Sequence, residues 1–359
     1  MAPQFKFESL PRKNKIAVAL IAAIVGSLIP IAEHRFYCGP VSLNSAVHAA
    51  DDELKYAGLE YYGSSQMTRK EIEQILRLRV GSSARNVEQA VARLRKALDD
   101  KHLIAVVNSV ASGPGVYVVA DIEESKTGEE LPMRILENPH HVRVQSEKPS
   151  LLLIKLDERL QKLTFEGRKS AETYPGGVKM YSDEPANQLV EELRRFGPPM
   201  RDEWLTIVVS DPDPERRVEA IRLLNWAGKY EDTCMKLIPA LDDSSHLVRG
   251  EVVRFIFPRL RILSDNFPFN ELAAALCRQI MRPSHDDRSK GLYCIIALLR
   301  IRPLLTAPMK QCAEKKIRTL ADESIIPTVQ EPAQQLLKTF SGPMPRPQVV
   351  PEQDRFGGF

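Results

Sequence analysis

A small α+β module followed by an all-α array of stacked helices is the fold class this sequence predicts, and three observations lead there. Two stretches about 30 residues apart repeat one design: Asp211-Pro212-Asp213-Pro214 runs into Glu215–Leu224, and Asp242-Asp243-Ser244-Ser245 runs into His246–Phe255. Each is an acidic, turn-forming cluster followed by an amphipathic helix with an early valine beside an arginine. Upstream, residues 53–124 alternate strand and helix patterns. Downstream, helical faces follow one another from Met200 to Phe340 with acidic turns before alternate helices. A chain of 359 residues has room for about two folded units, and 43% apolar with 27% charged residues is an ordinary globular composition.

The N-terminus comes first. Lys6, Arg12, Lys13 and Lys15 lie in a basic segment, residues 1–15, ahead of an uncharged apolar run from Ile16 to Ala32. A basic flank before such a run reads as a signal peptide or a single membrane anchor, with the basic side kept in the cytoplasm. Seventeen residues at 1.5 Å each reach about 26 Å, at the short end for a bilayer core. Val47-His48-Ala49 looks like a cleavage site but lies far beyond the apolar run, so a retained anchor is favoured over a cleaved signal. Either reading exports the rest of the chain.

The next segment has a legible order. Leu54–Tyr62 patterns as a strand. Thr68-Arg69-Lys70-Glu71 is a capping box, and Ile72, Ile75 and Leu76 share one face of the helix it opens. A second helix, about Ala84–Lys101, carries Val87, Ala90, Val91, Leu94 and Leu98 at helical spacing. Two strands follow, Leu103–Val110 and Val116–Glu123, with a Gly-Pro-Gly turn between them. This strand–helix–helix–strand–strand order over about residues 53–124, with its Val116–Glu124 closing strand, resembles a POTRA domain. The resemblance implies work outside the inner membrane, in envelope assembly or secretion, and binding of other proteins by strand addition to a sheet edge.

Residues 125–199 read as a connector. It contains a Leu151–Leu163 helix, an interruption at Tyr174-Pro175-Gly176-Gly177, and an amphipathic Ala186–Phe196 helix ended by Gly197-Pro198-Pro199. Residues 200–340 then carry the array. Its acidic turns and early basic residues, Asp213 with Arg217 and Asp243 with Arg249, look like HEAT repeats, and especially the short kind shared with phycobilin lyases. That likeness implies charges that fix repeat register, and it implies no attachment chemistry. The tail, residues 341–359, is rich in proline and reads as a disordered end.

Function follows from these parts only as a class. A net charge of +3 is too small to argue for nucleic acid. Phosphate loops and aromatic stacking platforms are missing from the sequence as well. Between Ser244 and Arg318, however, 14 Lys/Arg face 6 Asp/Glu. A basic wall there fits an acidic protein, an anionic lipid surface or an acidic polymer, with Arg249, Arg254, Arg259, Arg261, Arg288 and Lys290 as the candidate partner-binding residues. Cys234, Cys277, Cys294 and Cys312 sit among apolar neighbours and read as buried free thiols, and their spacing matches no metal site. No cofactor or metal is implied. The expectation is a membrane-anchored extracytoplasmic scaffold that binds other proteins. The enzyme alternatives are a papain-like peptidase using Cys38 of Cys38-Gly39-Pro40 with His140 or His141, and a lyase-like repeat protein.

Overall fold

The computed structural model describes residues 54–342, apart from 63–66, 113–114, 124–132, 137 and 169. The basic segment, the apolar run at 16–32, Cys38 and the tail beyond Gly342 lie outside the described residues.

The chain opens with β1 (Lys55–Tyr62), α1 (Arg69–Leu76), α2 (Ala84–Asp99), β2 (Ile104–Ser112) and β3 (Gly115–Glu123). The capping box forms as the sequence predicts: Thr68 Oγ1 accepts from Glu71 N, and Glu71 Oε2 accepts from Thr68 N at 2.6 Å. The sheet is mixed, in order β1-β3-β2, with β1 parallel and β2 antiparallel to β3. Strand alternation divides β3 between two cores. Val116, Val118, Ala120 and Ile122 pack with Ile72, Leu76, Val87 and Leu94 of the two helices, while Val119 and Asp121 are buried on the opposite face.

The segment that follows wraps the helices beyond it. Residues 133–136 and 138–145 run as a strap along the interhelical turns: Arg134 N donates to Asp242 O, and His140 N to Ser210 O. Next come α3 (Lys148–Phe165) and a short hairpin, β4 (Glu172–Thr173) with β5 (Met180–Tyr181).

The helices are α4 (Glu184–Ser210), α5 (Pro214–Leu223), α6 (Tyr230–Leu237), α7 (His246–Ile256), α8 (Phe269–Met281), α9 (His285–Ile301), α10 (Thr306–Glu323) and α11 (Pro327–Ser341). They stack in two layers. The odd-numbered helices α5, α7, α9 and α11 pack in succession, and each also packs on the even-numbered layer behind it. One sequence expectation is corrected here. Gly197-Pro198-Pro199 does not end a helix, because α4 runs through both prolines to Ser210. Pro198 and Pro199 lie on its exposed side, as do Arg194 and Arg195, whose carbonyls lose the helical donor to water rather than to a void. The helix therefore crosses the 199/200 border drawn from the sequence.

All of the described residues fall in one compact unit, Ser42–Phe359. No helix among them is long and apolar enough to cross a membrane.

Candidate functional site

An arginine ladder runs through the array and sets the geometry of everything near it. Arg217 of α5 donates through Nη1 to Asp211 O and Pro212 O of its own turn, and through Nη2 to Asp243 of the next turn at 2.8 Å. One repeat on, Arg249 of α7 donates to Asp243 O and Ser244 O, then reaches Asp287 with Nε and Nη2. Each guanidinium therefore ties its own turn to the following one. The acidic turns do fix register, but Arg217 pairs across the repeat with Asp243, while Asp213 caps α5 by accepting from Glu215 N.

The third rung leaves the array. Arg288 of α9 donates to Pro283 O of its own turn. Its Nη2 then meets Glu60 of β1 at 3.1 Å and Asp121 of β3 at 3.2 Å. The sheet supplies the carboxylates that a further repeat would otherwise provide. Glu60 also accepts from Ser324 Oγ at 2.6 Å and Ile325 N, and Asp121 accepts from His285 N. Tyr62 lies between Arg288 and Lys316, 4.3 and 3.8 Å from its ring centroid. Burial raises the Asp121 carboxyl to about 7 against the pull of Arg288. Burial, aided by Arg288, lowers His285 to about 4, and burial lowers Lys316 to about 8.

This architecture divides the six basic residues read from the sequence as a contact face. Arg249, Arg259 and Arg288 are at most 1% exposed and so form no part of the exposed face. Charge counting placed them on a surface, but buried arginines of a ladder look the same in composition. Arg254 and Lys290 reach solvent on the odd-helix layer, and Arg261 is exposed beyond α7. The accessible wall is not uniformly basic either. Lys290 is bonded to Asp286 at 2.6 Å, Arg254 lies 4.0 Å from Glu251, and Arg222 is held by Asp157 of α3. Gly250 leaves room for the Lys290 ammonium, which a Cβ there would meet at 2.8 Å.

The hairpin after α3 is seated on this same charged face, a feature the sequence reading missed. Glu172 and Lys179 pair at 2.7 Å across it. Burial opposes the Glu172 charge, yet Lys179, and more weakly Arg254, hold its carboxyl below the usual range. The Tyr174 ring stands 5.4 Å from the Arg259 guanidinium, which Tyr230 and Phe255 also enclose at 4.6 and 4.0 Å. Arg259 donates to Phe255 O and to Asn225 Oδ1 at 2.9 Å. The signal in the sequence was Tyr174-Pro175-Gly176-Gly177, read only as an interruption.

The expectation of four buried free thiols fails for two cysteines and holds for the other two. Cys277 of α8 and Cys312 of α10 form a disulfide, with Cα atoms 6.3 Å apart, rather than standing as free thiols. Cys234 and Cys294 are free and buried, and burial pushes both thiols up to about 12. The histidines considered as activators of Cys38 lie in the strap, where His141 Nδ1 is 3.2 Å from Asp211 and His140 Nδ1 is 2.7 Å from Asn138 O. Among the described residues no group of His, Cys, Asp or Glu is placed to hold a metal ion.

No protein-family model matches the chain, and neither a curated protein nor a solved structure matches it.

Proposed function

We propose that this chain is a membrane-tethered, extracytoplasmic scaffold that binds other proteins through two surfaces held at a fixed spacing. The observation that carries this reading is the joint at Arg288, whose buried guanidinium bonds the sheet to the array through Glu60 and Asp121. A joint of that kind turns two modules into one frame. In this reading the module at 55–123 is POTRA-like, supported by its strand–helix–helix–strand–strand order and mixed sheet. The array is HEAT-like, supported by its two layers and its turn-to-turn arginines. The first surface is the outer edge of β2, since β2 pairs only with β3 among the described strands, and an extended segment can extend the sheet there. The second is the odd-helix face bearing Arg254 and Lys290.

The compartment rests on two independent features. A basic flank precedes the apolar run at 16–32, and the Cys277–Cys312 bond belongs to an oxidising environment. A reporter fused after Phe359 is expected to be active only outside the cytoplasm. Affinity capture from solubilised membranes with the full-length chain is expected to retain a defined protein partner. Cytoplasmic reporter activity rejects the export, and failure to retain any partner over a mock capture rejects the scaffold.

A further inference from the structure

We propose that the hairpin Glu172–Tyr181 is a built-in occupant of a peptide-docking groove formed where the turn after α7 meets Trp226 and Tyr230, and that the groove's external partner is a polypeptide segment carrying a Glu-x-Tyr motif. The proposal rests on the scaffold reading and names the chemistry of one of its two surfaces.

The hairpin is poorly able to stand alone. Its ladder consists of two residue pairs, Glu172 with Tyr181 and Thr173 with Met180, far short of what a hairpin needs for independent stability in water. What holds it is the array. Trp226 Nε1 donates to Lys179 O at 2.9 Å. Gly177 has a φ of +87° and sits so close that a Cβ there would meet Tyr230 Cδ2 at 2.6 Å and Ile262 Cδ1 at 2.7 Å. Tyr174 closes one wall of the aromatic enclosure around Arg259.

The seat has the features of a recognition site. Arg259 is fully buried, it donates to the neutral oxygens of Phe255 and Asn225 among aromatic rings, and its Nε has no hydrogen-bond partner among the described residues. A desolvated guanidinium of this kind attracts an aromatic face. Two residues before Tyr174, Glu172 lies in the field of Arg254, and Lys179 on the return strand lies in the field of Glu251. The seat therefore holds the Tyr174 ring against Arg259, and the acidic side chain two residues before it accepts from Tyr174 OH at 2.8 Å and pairs with Lys179 at 2.7 Å, facing Arg254 by charge. From Arg254 the charged face continues to Asp286 and Lys290 of α9, which gives a longer external segment more to hold than the hairpin uses. A tethered occupant acts at an effective concentration in the range of mM, so an external segment must displace it.

The test uses the full chain and a labelled synthetic peptide with the sequence of residues 170–183. Gly177→Val should lift the hairpin, because the new side chain meets Tyr230 and Ile262 at a backbone angle that disfavours it. Fluorescence anisotropy should then show the peptide binding at least about tenfold more tightly than it binds the unmodified chain. Adding Arg254→Glu should weaken that binding at least about fivefold, and a peptide carrying Glu172→Lys should recover it. Tyr174→Ala, which opens the same seat without backbone strain, serves if the valine variant does not fold. In the unmodified chain, peptide at about 1 mM should speed amide exchange across residues 172–181. Equal binding to opened and unmodified chains, no binding to a folded opened variant, or hairpin exchange indifferent to peptide overturns the proposal. Peptide binding needs no natural partner. It can succeed where capture fails, which rejects only the scaffold, or fail where capture succeeds, which rejects only the groove.

Discussion

Loss of the Arg288 side chain strands two buried carboxylates at once. Glu60 and Asp121 are both buried, and each depends on the guanidinium for compensation of its charge. Breaking a buried pair by removing one partner costs about 3–5 kcal/mol, whereas replacing the whole set by neutral groups costs far less. Arg288→Ala should therefore cost the sheet about 3–5 kcal/mol, read from exchange of the β3 amides. The triple variant Arg288→Met, Glu60→Gln, Asp121→Asn should lose clearly less, and equal losses would show that packing, not charge, makes the joint. The same cluster sets a pH response. Asp121 is raised from 3.8 to about 7, so its stabilising contribution is complete below about pH 4 and is lost as pH rises toward 7. His285 is lowered from 6.5 to about 4, so it penalises the folded state as pH falls through that window. The two slopes oppose each other between about pH 4 and 6.5. Relative to the unmodified chain, Asp121→Asn should make stability rise more steeply with pH there, and His285→Gln should make it fall. Superimposable profiles for all three proteins would remove these groups from the response.

At the scale of the element, α4 shows how a helix survives residues that ordinarily stop one. Gly197 is buried on the face opposite the exposed Pro198 and Pro199, and there α4 meets the backbone after α5 so closely that a Cβ would lie 2.0 Å from Trp226 O. That neighbour is main chain and cannot swing aside. Gly197→Ala should cost at least about 1–3 kcal/mol, and a thermal midpoint unchanged from the parent would refute the close approach. Local sequence announced Gly-Pro-Pro as a stop because the burial that places both prolines toward water is a tertiary fact. The same limit recurs elsewhere. Order and type in the small module were legible, down to the Thr68–Glu71 capping box, since caps and apolar periodicity are local. The repeat was legible from its turns. The joint was not, because Glu60 and Arg288 are 228 residues apart, and a buried arginine reads in composition as a surface one. Charge counting singled out Arg254 and Lys290 as cations, while their pairing with Glu251 and Asp286 and the hairpin beside the turn after α7 required the packing of distant segments.

At the scale of the whole molecule, the joint and the disulfide predict different things about how the chain comes apart. Cys277–Cys312 ties α8 to α10 over a sequence separation of 35 residues. In the loop-entropy account a closure of that length stabilises by about 3–4 kcal/mol. Replacing both cysteines with serine should lower unfolding stability by about that amount and leave the joint intact. The sheet and the array should nevertheless unfold together, since β1 and β3 meet α9 and the turn before α11 through Arg288, His285, Ser324 and Ile325. Separate probes can follow each part. Both tryptophans, Trp204 and Trp226, lie in the helical array and none lies in residues 54–123, so indole emission reports the array alone. Exchange of the β3 amides around Ala120 and Ile122 reports the sheet. Coincident transitions in denaturant are expected from the two probes, in the parent and in the serine variant alike. Arg288→Ala should instead separate them, with β3 opening at lower denaturant than the indole transition. A sheet that opens first in the parent protein would mean that the two surfaces are not held in one frame, and the fixed-spacing scaffold would fail with it.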